Sequence, residues 1–112
     1  MKIITKIAVA AAATALIAGG AYAASASDNW DNSCASCHGS DGKGQTKTGK
    51  KLKIKDYTDA SVQAGLKDDE MAKAITEGIK GDNGKEKMKS FKDDLSADEV
   101  KDLVGFIRKF EA

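Results

Sequence analysis

The only histidine and both cysteines of this 112-residue chain stand together in the pentapeptide Cys34-Ala-Ser-Cys-His38. Thiols at this spacing lie about one helical turn apart, so both can add to the two vinyl groups of one porphyrin while the adjacent imidazole is directed at the iron. This arrangement is the attachment signature of c-type haem. The pentapeptide therefore predicts one haem c, covalently attached through Cys34 and Cys37, with His38 as an iron ligand.

Three other chemistries use paired cysteines. A structural zinc site usually has four protein ligands, and this sequence has no cysteine or histidine beyond Cys34, Cys37 and His38 to complete one. A thioredoxin-like redox pair belongs in a βαβ context, which the helical pattern of this chain does not offer. A plain disulfide would close a very small loop and stabilise little. Haem attachment is the favoured interpretation, and thiol redox chemistry, a disulfide and a metal site are the weaker alternatives.

A bound haem iron would need its sixth position assigned. A second histidine is excluded, which leaves methionine, lysine, an exogenous ligand or an open position. Met71 stands in helical register with Ile75 and Ile79, where a methionine usually fills the core. Met88 lies in a polar, lysine-rich segment with no apolar stripe to explain it, so Met88 is predicted to be the second axial ligand.

Helical patterns of apolar residues must position these groups. A first short helix is predicted from Asp28 to about Ala35, and the glycine- and lysine-rich residues 38–55 are predicted to form a long loop. Thr58 can N-cap a short turn that runs to about Gln63. A further helix is predicted to follow Asp68 and to end at the glycines at positions 78 and 81.

The last helix has the clearest signals. Ser96-Ala-Asp-Glu99 is a capping box. An apolar stripe follows it, made of Val100, Leu103, Val104, Ile107 and Phe110, with Phe106 beside it. Residues 81–92 are predicted to be a polar loop, and no segment shows sustained strand alternation. The predicted fold class is all-α, with about four short helices and long loops wrapped around one covalently bound haem.

The first 23 residues are predicted to be a secretory signal peptide. A basic start is followed by an apolar run and by the cleavage pattern Ala21-Tyr-Ala23, with an alternative end at residue 26. Residues 24–112 would then form a single monohaem domain. Loss of the two lysines of the signal changes a chain of 18 basic and 17 acidic residues to a net charge of about −1, which suggests neither nucleic acid nor an anionic membrane as partner.

Five blocks resemble the class I cytochromes c, specifically the small bacterial monohaem type, in order and spacing. The blocks are Trp30, Cys34 to Gly39, Leu66 to Gly78, Lys87 to Phe91, and Leu95 to Arg108. The resemblance implies thioether bonds at Cys34 and Cys37, axial ligation by His38 and Met88, and an aromatic pair of Trp30 and Phe106 where the first and last helices cross. The family often has proline after the methionine, whereas this chain has Lys89, which predicts a more mobile segment.

Iron held on both faces has no vacant position for a substrate, so the sequence predicts an electron-transfer protein rather than an enzyme. The expected protein is a soluble periplasmic one-electron carrier, a monomer with no membrane span in its mature form, that cycles between Fe(III) and Fe(II). Its partners would be transient redox proteins, docking at a lysine-rich haem edge. The alternative is a haem module that binds gas or peroxide where Met88 is labile.

Overall fold

The structure is a computed structural model that describes residues 24–112, and the predicted signal peptide at residues 1–23 lies outside them. Within the described residues, six short α-helices follow one another along the chain. They are α1 (Ala26–Asn29), α2 (Ala35–His38), α3 (Lys47–Leu52), α4 (Ala60–Gly65), α5 (Asp68–Glu77) and α6 (Ala97–Arg108). A π-helical turn (Trp30–Cys34) joins α1 to α2, and the short strands β1 (Ile79–Lys80) and β2 (Glu86–Met88) lie between α5 and α6. This mostly helical architecture confirms the predicted all-α class.

Helix α1, the π-helical turn and α2 form one continuous N-terminal helical segment, residues 26–38. Ser25 caps its start, because the Ser25 hydroxyl accepts a hydrogen bond of 3.1 Å from the backbone N–H of Asp28. Gly39 ends it with φ at 86°, a value that favours glycine. The segment is therefore longer at both ends than the predicted helix from Asp28 to Ala35.

The prediction of an unbroken loop over residues 38–55 is wrong in part, because α3 lies within it. Thr46 begins α3, since its hydroxyl accepts a hydrogen bond of 2.8 Å from the backbone N–H of Gly49. The same hydroxyl donates to the carbonyl of Cys37 at 2.5 Å, which ties the start of α3 to the cysteine pentapeptide. The capping threonine, rather than helical periodicity, determines where this helix forms.

Helices α4 and α5 lie close to their predicted positions. Asp59, and not Thr58, caps α4, because the Asp59 carboxylate accepts hydrogen bonds from both the N–H and the hydroxyl of Ser61. Helix α5 ends at Gly78, with φ at 80°. Beyond it, β1 pairs with β2 in an antiparallel hairpin that places Ile79 opposite Met88. These strands are too short to show alternation in the sequence, which is why the pattern of residues 81–92 predicts only a loop.

The capping box at the start of α6 is confirmed. The Ser96 hydroxyl accepts from the N–H of Glu99 at 3.1 Å, and the Glu99 carboxylate accepts from the N–H of Ser96 at 3.0 Å. Helix α6 packs against α1 and α5. The core contains four residues of its predicted stripe, together with side chains from the N-terminal helical segment, α5 and the loop after β2: Trp30, Cys34, Met71, Ile75, Phe91, Val100, Leu103, Val104 and Ile107.

The aromatic pair implied by the resemblance is present where α6 passes the N-terminal helical segment. The rings of Trp30 and Phe106 have centroids 5.6 Å apart and planes tilted by 41°. Trp30 is 2% exposed and Leu103 is fully buried, so this crossing is the centre of the core. None of the helices in residues 24–112 has the length and apolar character needed to cross a membrane.

Candidate cofactor site

A cavity of about 540 Å³ opens between the N-terminal helical segment, α5, α6 and the β hairpin. Its volume lies within the range of about 300–1,000 Å³ that is typical of sites for small molecules and cofactors. All four residues that the sequence singled out line this one cavity: Cys34, Cys37, His38 and Met88. Leu103 and Ile107 of α6 line it as well, so its inner wall is apolar. The fold therefore brings Met88 into the same cavity as a motif fifty residues earlier.

Both cysteines are free thiols that face the cavity. Burial, followed by the nearby Cys37, raises the pKa of the Cys34 thiol to about 11. A thiol with so high a pKa is protonated at neutral pH and is a poor redox nucleophile. Within residues 24–112 there is also no group of three histidine, cysteine, aspartate or glutamate side chains that could hold a metal ion. The high pKa of Cys34 weighs against thiol redox chemistry at this residue.

Two aromatic rings, which also pack on each other, contact the ring of His38. The centroid of the Tyr57 ring lies 5.4 Å from that of His38, with the planes only 18° apart, and Trp30 packs on His38 at 5.4 Å and 43°. The indole N–H of Trp30 donates to the carbonyl of Gly39 at 2.9 Å, which fixes the backbone next to the histidine. Burial lowers the pKa of His38, so the imidazole is neutral at neutral pH, the form that binds metal.

Tyr57 is a residue of this site that the sequence did not reveal. Its backbone N–H donates to the carbonyl of Gly42 at 2.8 Å, and its carbonyl accepts from the side-chain amide of Gln63 at 2.7 Å. Gln63 is 3% exposed; the same amide donates to the carbonyl of Ile107, and its side-chain oxygen accepts from Arg108 at 3.0 Å. This buried hydrogen-bond network around Gln63 joins α4 to the end of α6. It thereby positions the Tyr57 ring that packs on His38.

Met88 is half-buried, and hydrogen bonds join its segment to β1 on one side and to the end of α5 on the other. Before it, β2 pairs with β1 in the register that opposes Met88 to Ile79. After it, the N–H of Phe91 donates to the carbonyl of Ile75 at 3.0 Å, and the hydroxyl of Ser90 donates to the carbonyl of Thr76 at 2.5 Å. Phe91 itself is buried. Hydrogen bonds to β1 and to the end of α5 therefore fix the backbone around Met88, although Lys89 rather than proline follows it.

Met71 also lines the cavity, but from a different setting. It is 6% exposed and packs in the core with Ile75, as the helical register of the two residues predicts. No departure from regular helix singles it out, because α5 runs unbroken from Asp68 to Glu77. The prediction that Met71 is a core residue is confirmed.

Four lysines line the cavity where it opens to solvent: Lys53, Lys55, Lys87 and Lys89. Lys89 is neutralised in part by an ion pair of 3.1 Å with Asp94, and Glu70 is an acidic residue of the same lining. Ile79, which is 42% exposed, adds an apolar side chain. The predicted lysine-rich haem edge consists of the lysines of residues 38–55 and those around Met88, and seven of these lysines do not line the cavity: Lys43, Lys47, Lys50, Lys51, Lys80, Lys85 and Lys92.

The residues of this cavity fit a large, covalently attached cofactor whose metal is bound by a nitrogen atom of the protein. Two thiols project into a space of cofactor size with an apolar inner wall. Among the buried side-chain nitrogen and oxygen atoms of residues 24–112, Nδ1 of His38 has no hydrogen-bond partner. An orphaned buried nitrogen is costly, so hydrogen bonding within the protein does not explain why His38 is buried here.

Comparison with known proteins supports the same site. Residues 21–107 match the family described as cytochrome c oxidase, cbb3-type, subunit III. Among solved structures, the chain is similar to the KustC0563 c-type cytochrome, with 31% identity, a TM-score of 0.69, and coverage of 80% of this chain and 100% of that one. It is also similar to a tyrosine-to-phenylalanine mutant of Kustc0563, with 32% identity, a TM-score of 0.66, and coverage of 79% and 100%. No curated protein gives a significant match.

Proposed function

Because the chain belongs to the c-type cytochrome family that includes subunit III of cbb3-type oxidases, we propose that it is a periplasmic one-electron carrier with His38 and Met88 as axial ligands. Family membership implies covalently bound haem c and haem-based electron transfer. The two cysteines of the chain, Cys34 and Cys37, are its attachment thiols. When bound, the haem supplies a one-electron couple between Fe(III) and Fe(II). The observation that carries the proposal is that His38 and Met88 line the same cavity as both thiols.

The chain's residues favour electron transfer over substrate chemistry. In this proposal neutral His38 and the thioether of Met88 would both hold the iron, which would leave no position for a substrate. A thioether favours the reduced state more than a second imidazole does, and the apolar wall of Met71, Ile75 and Leu103 disfavours the extra charge of the oxidised state. Both effects raise the reduction potential.

Carbon monoxide binding to the reduced protein tests the axial ligand. We expect the native protein to show almost no spectral change, because the thioether of Met88 holds the sixth position. Met88→Ala removes the thioether, and its reduced form is expected to bind carbon monoxide at once. Met71→Leu is the matched control, since it removes the other cavity-lining methionine while keeping an apolar side chain of similar volume.

The carbon monoxide results distinguish an electron carrier from a module that binds gas or peroxide. Immediate formation of a carbon monoxide complex by the native protein at neutral pH would contradict the electron-carrier proposal and favour a module that binds gas or peroxide. Inert native protein combined with a reactive Met71→Leu variant would transfer the ligand role to Met71.

Export follows from the proposed signal peptide, and the location of the haem-bound protein tests it. We expect the haem-bound protein in the periplasmic fraction of cells that make the full-length chain. Replacing the first 23 residues by a single methionine should give a chain that stays in the cytoplasm and carries no haem. Haem-bound protein retained in the membrane fraction after a salt wash would contradict the proposal.

The lysines that line the cavity suggest the charge of its partners. We propose that a monomer docks transiently through this surface on an acidic redox protein, since Lys53, Lys55 and Lys87 lie beside the apolar Ile79 where the cofactor approaches solvent. Electron-transfer rates with such a partner should fall as the salt concentration rises. Lys87→Gln should lower the rate at low salt, and Lys109→Gln, whose residue does not line the cavity, should not. A rate independent of salt would contradict the proposal.

A further inference from the structure

The start of the described chain lies against the first turn of α6. The backbone nitrogen of Ala24 is 3.2 Å from Oε2 of Glu99, although the two residues are separated by 75 positions in sequence. The side-chain amide of Asn29 donates to the same carboxylate oxygen at 3.0 Å and to the carbonyl of Ala24 at 3.4 Å. Asn29 is 7% exposed, so one face of this arrangement is covered by protein.

The two carboxylate oxygens of Glu99 accept hydrogen bonds from different groups. Oε1 accepts from the N–H of Ser96 in the capping box, and Oε2 faces Ala24 and Asn29. These hydrogen bonds, led by the one from Ser96, hold the pKa of Glu99 below its usual value. The carboxylate is therefore charged at neutral pH. A negative charge held at this point is better matched by a cation than by the neutral N–H of a peptide bond.

We propose that Glu99 binds the α-ammonium group that cleavage after Ala23 creates on Ala24, while the side-chain amide of Asn29 holds the Glu99 carboxylate and the Ala24 carbonyl in place. The inference rests on the export step of the proposed function and goes beyond it, because it selects one of two cleavage sites. Hydrolysis of the peptide bond between residues 23 and 24 converts the Ala24 N–H into an ammonium with three donors, at a position already within hydrogen-bond distance of Oε2.

Cleavage at the alternative site, after Ala26, would remove groups that the fold uses. Ser25 would be lost, and with it the N-cap of α1 and the carbonyl that accepts from the N–H of Asn29 at 2.9 Å. The carbonyl of Ala24 would also be lost as an acceptor for the Asn29 side chain. The chain would then begin inside α1, with no charged terminus beside Glu99.

Intact mass of the haem-bound protein from the periplasm is the first test. We expect a chain that begins at Ala24, and a haem-bound chain that begins at Ser27 or at any other residue would overturn the inference. This failure is distinct from failure of the proposed function, because a chain that is not exported would be recognised by its location and its lack of haem.

A double-mutant cycle tests the contact itself. Glu99→Gln removes the charge, while glutamine preserves the capping box. Its effect on Tm is measured in the native chain and in a chain whose N-terminus is extended by Gly-Ser before Ala24, which moves the ammonium away from residue 99 but keeps a peptide N–H at Ala24. We expect Glu99→Gln to lower Tm by several degrees more in the native chain than in the extended one. Equal losses in the two backgrounds would overturn the ion pair.

Discussion

Gly78 allows the end of α5 and the Met88 segment to approach closely, and Gly78→Ala should separate them. Gly78 has φ at 80° and ψ at 176°, a combination that is nearly confined to glycine and costs other residues about 1–3 kcal/mol. A Cβ atom on residue 78 would lie 2.7 Å from the carbonyl oxygen of Met88 and 2.8 Å from the backbone nitrogen of Ser90. Both atoms belong to backbone, so the collision cannot be relieved by rotating a side chain.

Two costs therefore add. Backbone strain contributes about 1–3 kcal/mol, and an overpacked contact with the Met88 segment contributes about another 1–3 kcal/mol. We expect Gly78→Ala to lower the free energy of unfolding by about 2–6 kcal/mol. Because the collision is with the residue proposed to bind iron, we also expect the reduced variant to bind carbon monoxide faster than the native protein.

Gly84 provides a matched control in the hairpin that follows Gly78. It has φ at 79°, but a Cβ atom there would have nothing within 4 Å. Gly84→Ala should lower the free energy of unfolding by the strain alone, about 1–3 kcal/mol, and should leave carbon monoxide binding unchanged. Denaturant titration and carbon monoxide kinetics on the two haem-bound variants make the comparison. Equal stability losses, with no gain in carbon monoxide binding for Gly78→Ala, would refute the argument that this contact holds Met88.

Three further predictions concern the elements around the site. Ser96→Ala removes the hydroxyl of the capping box and should lower the free energy of unfolding by about 1 kcal/mol, measured by thermal unfolding. An unchanged Tm would contradict a stabilising role for this cap. Gln63→Ala leaves buried partners without hydrogen bonds and should lower the free energy of unfolding by about 1–3 kcal/mol. Gln45→Ala, at an exposed position, should change it by no more than about 0.5 kcal/mol. Similar losses in the two variants would argue against a stabilising role for the Gln63 hydrogen-bond network. Hydrogen bonds from Ser61 lower the pKa of Asp59, so their stabilisation is present above the ordinary carboxyl pKa and is lost as pH falls below about 4. Asp59→Asn should lack this acid-dependent loss, and parallel curves of unfolding free energy against pH would contradict the assignment.

Features encoded by neighbouring residues could be predicted from the sequence. The pentapeptide that ends at His38, the capping box that starts at Ser96 and the glycine that ends α5 are each recognisable within a few positions. The choice of Met88 over Met71 depends on another local property, the absence of an apolar stripe around the former. These features define the helical class and all four candidate residues of the cavity.

Features made by distant residues could not be predicted. The hydrogen-bond network around Gln63 includes Arg108, 45 positions later in the sequence. Nothing in the polar sequence around Gln63 indicates that this glutamine is buried. Tyr57 packs on His38 because hydrogen bonds to Gln63 and to the carbonyl of Gly42 fix the backbone of Tyr57. Helix α3 escapes prediction for a different reason: its six residues include a glycine and three lysines, and its position depends on the contact of Thr46 with Cys37.

The π-helical turn between Trp30 and Cys34 constrains how the sequence can change in length. The N–H of Ala35 donates to the carbonyl of Trp30, five residues back, so the turn contains one residue more than an α-helix would use. If these residues were wound as regular α-helix with none removed, everything after them would rotate by about 100° about the helix axis. Cys34 and His38 would then leave the face that Trp30 holds against the core. An added residue in this stretch would rotate them in the same way, whereas a change of length in the exposed hairpin turn around Gly84 would not rotate these cavity-lining residues.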